Sequence, residues 1–238
     1  MKVDEFATLV AIGTMSGTSL DGIDAAIIES DGRDIIRTSS ALHRPYSREL
    51  KDLIRGAISA ALSGSLEKGM RDAAEIAVTD AHAEAVVALL AEAGGAGPAI
   101  DVIGLHGQTI LHRPAGPTNP VGETVQLGDG ARLADATGID VVNDFRSADV
   151  HAGGEGAPFA PAYHRALVAS WRDGTAGDVG VINLGGVANI TYVPKQARDV
   201  DLVAFDCGPG NGLIDEWVEL QTGAAYDRDG ELARAGRV

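Results

Sequence analysis

Residues 8–15 form an apolar run closed off by glycine and small polar residues, Thr8-Leu-Val-Ala-Ile-Gly-Thr-Met15. A short apolar block bounded by turn residues predicts a buried strand. Residues 16–22 are turn-rich, and Ile23-Asp-Ala-Ala-Ile-Ile-Glu29 then alternates weakly as a second strand. After the Asp31-Gly32 turn, a third strand is expected over residues 34–41. Strand, turn, strand, turn, strand is an antiparallel opening. A helix over residues 47–61 would place Leu50, Leu53, Ile54, Ala57 and Ile58 on one face. A longer alanine-rich helix over 71–93 meets a stop at Gly94-Gly95. A buried strand over 100–105 is expected to end at His106-Gly107. Beyond the proline-rich loop 114–120, the pattern predicts a strand at 125–127, a helix at 129–137 and a strand at 140–144. Residues 143–158, polar and glycine-rich, read as a surface loop, and 161–171 as a helix.

Near residue 175 the pattern begins again. Residues 178–184 form a strand, Gly185-Gly186 a turn and 187–193 a second strand, which repeats the architecture of residues 8–29 without its sequence. Such a restart predicts two related lobes, residues 1–174 and 175–238, each opening on a β-hairpin. A strand over 203–206 and a helix over 212–221 follow. The second lobe then lacks the layers that the first possesses, so it reads as incomplete and the chain as cut off. Apolar strand faces without covering helices predict exposed hydrophobic surface and self-association.

Composition narrows the class of partner. With 31 glycines and only 4% aromatic residues, the chain suits an Ala/Val/Gly-rich α/β protein better than a β-sandwich. A formal net charge of −15 argues against a nucleic-acid partner, which would need clustered Lys and Arg. It leaves room for a small anionic ligand, because backbone N–H groups and Mg²⁺ can hold phosphates within an acidic protein. The single cysteine, Cys207, cannot form an internal disulfide. No signal-peptide pattern opens the chain and no apolar run approaches a membrane span, so the expectation is a soluble, cytoplasmic protein.

Five segments carry chemistry, and each has a structural alternative. GTMSGTSLDGID (13–24) sets a Gly/Ser/Thr turn between two strands. Its N–H groups and hydroxyls can receive a phosphate, and Asp21 can hold Mg²⁺ through water; the alternative is a plain hairpin loop. It is not a Walker loop, since no Gly-Lys-Ser/Thr follows. INLGGVANI (182–190) puts a glycine pair, Gly185 and Gly186, at the equivalent turn, where it can face phosphates or simply turn the chain. In FDCGPGNGLIDEW (205–217), Asp206 sits at a strand end, either as a base or as a turn-capping carboxylate. GLHGQTILH (104–112) presents His106 and Gln108, suited to sugar hydroxyls, though a structural histidine is an equal reading. His106 and His112 lack a third ligand at metal-binding spacing. Finally NDFRSADVHAGGEGAP (143–158) contains Arg146, whose fork matches a carboxylate.

Together, and in this order, these segments and YDRDGELARAGRV (226–238) resemble the anhydro-N-acetylmuramic acid kinases of the actin/hexokinase/Hsp70 ATPase superfamily. The resemblance implies an α/β, duplicated ribonuclease-H-like fold with its second lobe incomplete here. It implies ATP and Mg²⁺ as cofactors, a homodimer in the full-length family, and a role in bacterial cell-wall recycling. The family reaction opens the 1,6-anhydro ring of anhydro-N-acetylmuramic acid with water and phosphorylates O6. Carried over, Gly17, Thr18, Ser19, Asp21, Gly185 and Gly186 would meet the nucleotide, with Asp21 on the metal. Asp206 would be the general base activating water, and His106, Gln108, Arg146 and Asp149 would lie near the sugar. Glu155 stands where many relatives carry Gln. Family chains continue beyond residue 238 through an adenosine-binding motif, so the expectation for this polypeptide alone is little nucleotide binding and no turnover. The competing expectation is a non-catalytic sugar-binding or interaction module. An acetate-type kinase is disfavoured, because FDCGPGN and HGQT match the anhydro-sugar family better.

Overall fold

The computed structural model describes residues 8–33, 35–94, 99–116, 121–171, 177–195 and 202–237. Two compact units divide the chain, Met1–Phe159 and Ala160–Val238. In the first, β1 (Leu9–Ser16), β2 (Gly22–Ser30) and β3 (Ile35–Pro45) form the antiparallel opening anticipated from the sequence. Two helices follow, α1 (Arg48–Ser63) and α2 (Lys68–Glu92). Local chemistry delimits α1: the Ser47 side chain accepts from the Leu50 N–H at its start, and Gly64 adopts φ 70° at its end. An N-cap acceptor satisfies one otherwise orphaned helix N–H, and glycine enters the left-handed region without a Cβ penalty.

The helices return the chain to β4 (Val102–Arg113), which lies parallel to β1 at the centre of a six-stranded mixed sheet. Here the structure corrects the expected strand end at residue 105: β4 runs on to Arg113. Its first half pairs in parallel with β6 (Val141–Asn143), its second half antiparallel with β5 (Glu123–Leu127). Gly107 divides the halves at φ 68°, where a Cβ would stand 2.1 Å from the Leu127 carbonyl oxygen. No other residue fits that approach.

The core lies between this sheet and the helices α1, α2 and α3 (Gly130–Thr137). Ile23, Ile54, Val78, Ile110 and Leu127 fill one end, while Ile12, Ile27, Leu89, Leu105 and Leu133 fill the other. Full burial of each such side chain stabilises the fold by about 1.5–3 kcal/mol. A second correction concerns residues 143–158: the expected loop contains a short helix, α4 (Phe145–His151).

The second unit comprises α5 (Ala160–Trp171), β7 (Val179–Leu184), β8 (Val187–Val193), β9 (Val203–Pro209), α6 (Gly212–Thr222), a 3-10 turn at Arg228–Gly230 and α7 (Glu231–Ala235). Its three strands form an antiparallel sheet in the order β7-β8-β9. The predicted hairpin is present around Gly185 and Gly186, but the outer faces of this unit are rich in exposed apolar side chains. Among the described residues, no helix is long and apolar enough to cross a membrane.

Candidate functional site

The turn between β1 and β2 is anchored from beneath. Ser16 ends β1 with 2% exposure, and Leu20, at φ 56°, turns its side chain into the core. Asp21 closes the turn: its Oδ1 accepts from the Ser19 hydroxyl at 2.8 Å and from the Gly22 N–H at 2.9 Å, while its carbonyl accepts from the Tyr46 N–H. Gly22 is obligatory, since a Cβ there would lie 2.3 Å from the Arg44 carbonyl oxygen. Thr18 and Ser19 are left on an exposed crest beside the half-buried Gly17. The crest offers hydroxyls and backbone N–H groups, and Asp21 adds an exposed carboxylate with one oxygen unused by the turn. This donor set fits phosphate oxygens and a hydrated hard cation. Among the described residues no cluster of three or more His, Cys, Asp or Glu could hold a metal without such help.

Gln108 holds the turn from the neighbouring strand. Its Oε1 accepts from the Ser16 hydroxyl at 2.5 Å, and its Nε2 donates to the carbonyls of Gly17 at 3.2 Å and Thr109 at 3.1 Å. The side chain is 0% exposed. Tyr46 completes this floor; its phenol lies beside Ser16 without a hydrogen bond of ordinary geometry, and burial pushes it up to about 12. Neither Ser16 nor Tyr46 was singled out by sequence reasoning. The only available signal for Ser16 was its place on the inward side of β1, in step with Ile12 and Thr14.

His106, Arg146 and Asp149 come together in one network. Arg146 donates from Nε and Nη2 to His106 Nε2 at 3.2 and 2.8 Å, and from Nη1 to the Gly156 carbonyl at 2.8 Å. The Gly156 N–H in turn donates to Asp149 Oδ2 at 2.7 Å. Helix α4 presents Arg146 and Asp149 three residues apart, hence on one side. The glycines that follow wrap its end closely: a Cβ on Gly154 would meet the Asp149 carboxylate at 2.3 Å, and one on Gly156 would meet Val150 at 2.6 Å. Burial pulls the pKa of His106 down, and the Arg146 charge acts in the same direction, against the bond to Gly107. Burial also lowers that of Arg146. The result is a neutral imidazole beside a guanidinium that retains two unused N–H donors in this network.

In the second unit, the Gly185–Gly186 turn is closed by the turn that follows β9. The N–H groups of Gly210 and Asn211 donate to the carbonyls of Gly186 and Gly185 at 3.0 and 2.9 Å. A Cβ on Gly210 would lie 2.0 Å from the Gly185 oxygen, so the CGPGN segment needs its glycine there. Asp206 stands opposite Asn189 in the β8–β9 register and is exposed. His164 of α5, unnoticed in the sequence, bonds the buried Thr191 hydroxyl at 2.8 Å and ties α5 to β8.

A profile of the anhydro-N-acetylmuramic acid kinase family matches residues 9–238. The chain is 51% identical over 232 residues to the anhydro-N-acetylmuramic acid kinase of Rhizorhabdus wittichii, covering 97% of this chain and 60% of that protein. It is 47% identical over 234 residues to the protein of the same name from Nitrobacter winogradskyi, covering 96% and 61%. The chain therefore spans about three-fifths of the length of these curated relatives. With the profile matched along nearly its whole length and close to half of its residues shared with such relatives, the chain belongs to the anhydro-N-acetylmuramic acid kinase family.

Proposed function

We propose that this chain carries the phosphate-loop and sugar-site elements of an ATP-dependent kinase. That kinase opens 1,6-anhydro-N-acetylmuramic acid with water and phosphorylates O6 to give N-acetylmuramate 6-phosphate in peptidoglycan recycling. The observation that carries the reading is the family match over residues 9–238, joined to a network in which His106, Arg146 and Asp149 converge. On this reading the chain contributes the first lobe of a duplicated ribonuclease-H-like fold and the start of an incomplete second; their boundary, expected at 174/175, lies outside the described residues, and the compact units divide earlier, at Phe159/Ala160.

The crest of Gly17, Thr18 and Ser19 would bind phosphate oxygens, with Gly185 and Gly186 on the second lobe's hairpin. Asp21 would hold hydrated Mg²⁺, which supplies charge neutralisation to the transferred phosphoryl group. Arg146, with two N–H donors outside its network, suits the lactyl carboxylate of the sugar, and neutral His106 keeps those donors oriented. Asp206, exposed on β9, would take a proton from the water attacking the anomeric carbon; as that C–O bond forms, the bridging C1–O6 bond breaks, and O6 takes the γ-phosphoryl group with ADP as the leaving group.

The test is sugar-dependent ADP release with ATP and Mg²⁺, measured on this chain and on one extended to the length of its curated relatives, each beside an Asp206→Asn variant. Turnover lost in the variant by about 10²–10⁴-fold is expected for a general base. Turnover equal in both would remove Asp206 from the chemistry. A second reading is favoured by one observation: the His106–Arg146–Asp149 network lies wholly within the first unit. A sugar-binding module would therefore bind the anhydro sugar in calorimetry without nucleotide and release no ADP.

A further inference from the structure

We propose that Gln108 is a positioning residue that clamps the phosphate loop and makes no contact with the sugar; this rests on the kinase reading. Both N–H donors of its carboxamide and one acceptor site of Oε1 are engaged within the protein. Oε1 receives the Ser16 hydroxyl, and the two N–H donors go to the Gly17 and Thr109 carbonyls. With 0% exposure, the group has neither a free donor nor an open path to a sugar hydroxyl.

The position of Gln108 stems from a break in strand alternation. In a regular strand, residues 106 and 108 would share one face. Between them Gly107 adopts φ 68°, and the β1–β4 register shifts so that Thr14 faces Leu105 but Ser16 faces Gln108. Before the break Ile103 and Leu105 are buried; after it Gln108 and Ile110 are. A bulge of this kind inserts one residue and re-aims the side chains on its far side. His106 is thereby left with Gly13, Met15 and Gly104 along the open side of the sheet, whereas Gln108 is turned under the loop. One strand thus carries the sugar-side histidine and the loop clamp on either side of a single glycine.

What the clamp holds is the backbone direction at Gly17. Its carbonyl, fixed by Gln108, also accepts the Leu20 N–H at 3.3 Å, so the clamp sets the curvature of the crest that would face phosphate. Removing the carboxamide leaves the buried Ser16 hydroxyl without its acceptor and the Gly17 carbonyl with the Leu20 N–H alone, and the crest loses its floor.

Two measurements test this. In steady-state turnover of a chain extended to the length of its curated relatives, Gln108→Leu is expected to raise the KM for ATP by about tenfold and to change the KM for the anhydro sugar by less than about twofold, since one lost buried hydrogen bond is of that order. The opposite split, with the sugar KM raised and that for ATP unchanged, would overturn the clamp. Amide hydrogen exchange on the unliganded chain needs no activity. Gln108→Leu should accelerate exchange at residues 17–20 by about tenfold, and Ser16→Ala by a smaller factor, while α4 and residues 152–157 stay as in the wild type. Unchanged exchange in the loop of both variants would overturn the proposal even with the kinase reading intact. An extended wild-type chain that neither binds the sugar nor releases ADP would instead sink the kinase reading, and loop exchange would still decide the clamp.

Discussion

Arg146 directs two donors at a single nitrogen of His106: Nε at 3.2 Å and Nη2 at 2.8 Å both reach Nε2. A ring nitrogen that accepts carries no proton, so the imidazole proton resides on Nδ1, where it meets the Gly107 carbonyl at 2.9 Å. The histidine is thereby held neutral and in one orientation, and in return it fixes the guanidinium plane. A lysine cannot reproduce that plane.

Arg146→Lys is accordingly expected to weaken anhydro-sugar binding by about 1–3 kcal/mol, roughly a fivefold loss or more in calorimetry. Charge is retained in this variant, so the loss would report the fork geometry. An unchanged dissociation constant would take Arg146 out of the sugar site.

His82, on α2, governs part of the acid stability. It is fully buried, and among the described residues neither ring nitrogen has a hydrogen-bond partner. Burial pulls its pKa down to about 3, and the nearby His106 acts in the same direction. The unfolded chain, with a histidine pKa near 6.5, therefore takes up the proton first. This contribution is complete above about pH 6.5 and is lost as the pH falls towards 3. His82→Leu should flatten that part of the curve of denaturant midpoint against pH. An equally steep acid loss in the variant would assign it to other groups.

Gly107→Ala tests the bulge. The alanine Cβ would need φ 68° and a position 2.1 Å from the Leu127 oxygen, so the strands must separate. A loss of more than about 1 kcal/mol is expected, lowering Tm by roughly 3 °C or more. A melting temperature within a degree of wild type would mean that β5 moves freely, contrary to the pairing of Gln108 with Leu127.

The second unit exposes Leu184 at 70%, Leu213 at 63%, Trp217 at 58% and Leu220 at 77%. Exposed apolar side chains in such number promote association. Sedimentation of this chain should shift to larger species with rising concentration, and Leu220→Lys should reduce the shift. A sharp monomer boundary over the whole concentration range would refute the expectation.

Much of this architecture was legible in the residue pattern. The apolar runs with glycine turns announced β1, β2, β7 and β8, and the one-sided apolar pattern of residues 47–61 announced most of α1. Helix α4 was missed, since seven residues are too few to display a 3.6-residue period, and its residues are bound through Arg146–His106 and Asp149–Gly156 contacts that bridge separate segments. The chemical character of the candidate residues was equally plain: hydroxyls and carboxylate in one turn, a histidine, an arginine fork and an aspartate elsewhere.

Local sequence thus determined which residue types were available and most of the elements that carry them. Only the tertiary structure decided which way they turn. The motif HGQ looks like two polar side chains on one strand face, and alternation alone assigns both to one ligand. The approach of Leu127 from a different strand demands a left-handed glycine at 107, and that bend separates His106 from Gln108. Alternation is a property of one strand, whereas a bulge is set by the strand that pairs with it, and the pairing partner here lies about twenty residues along the chain.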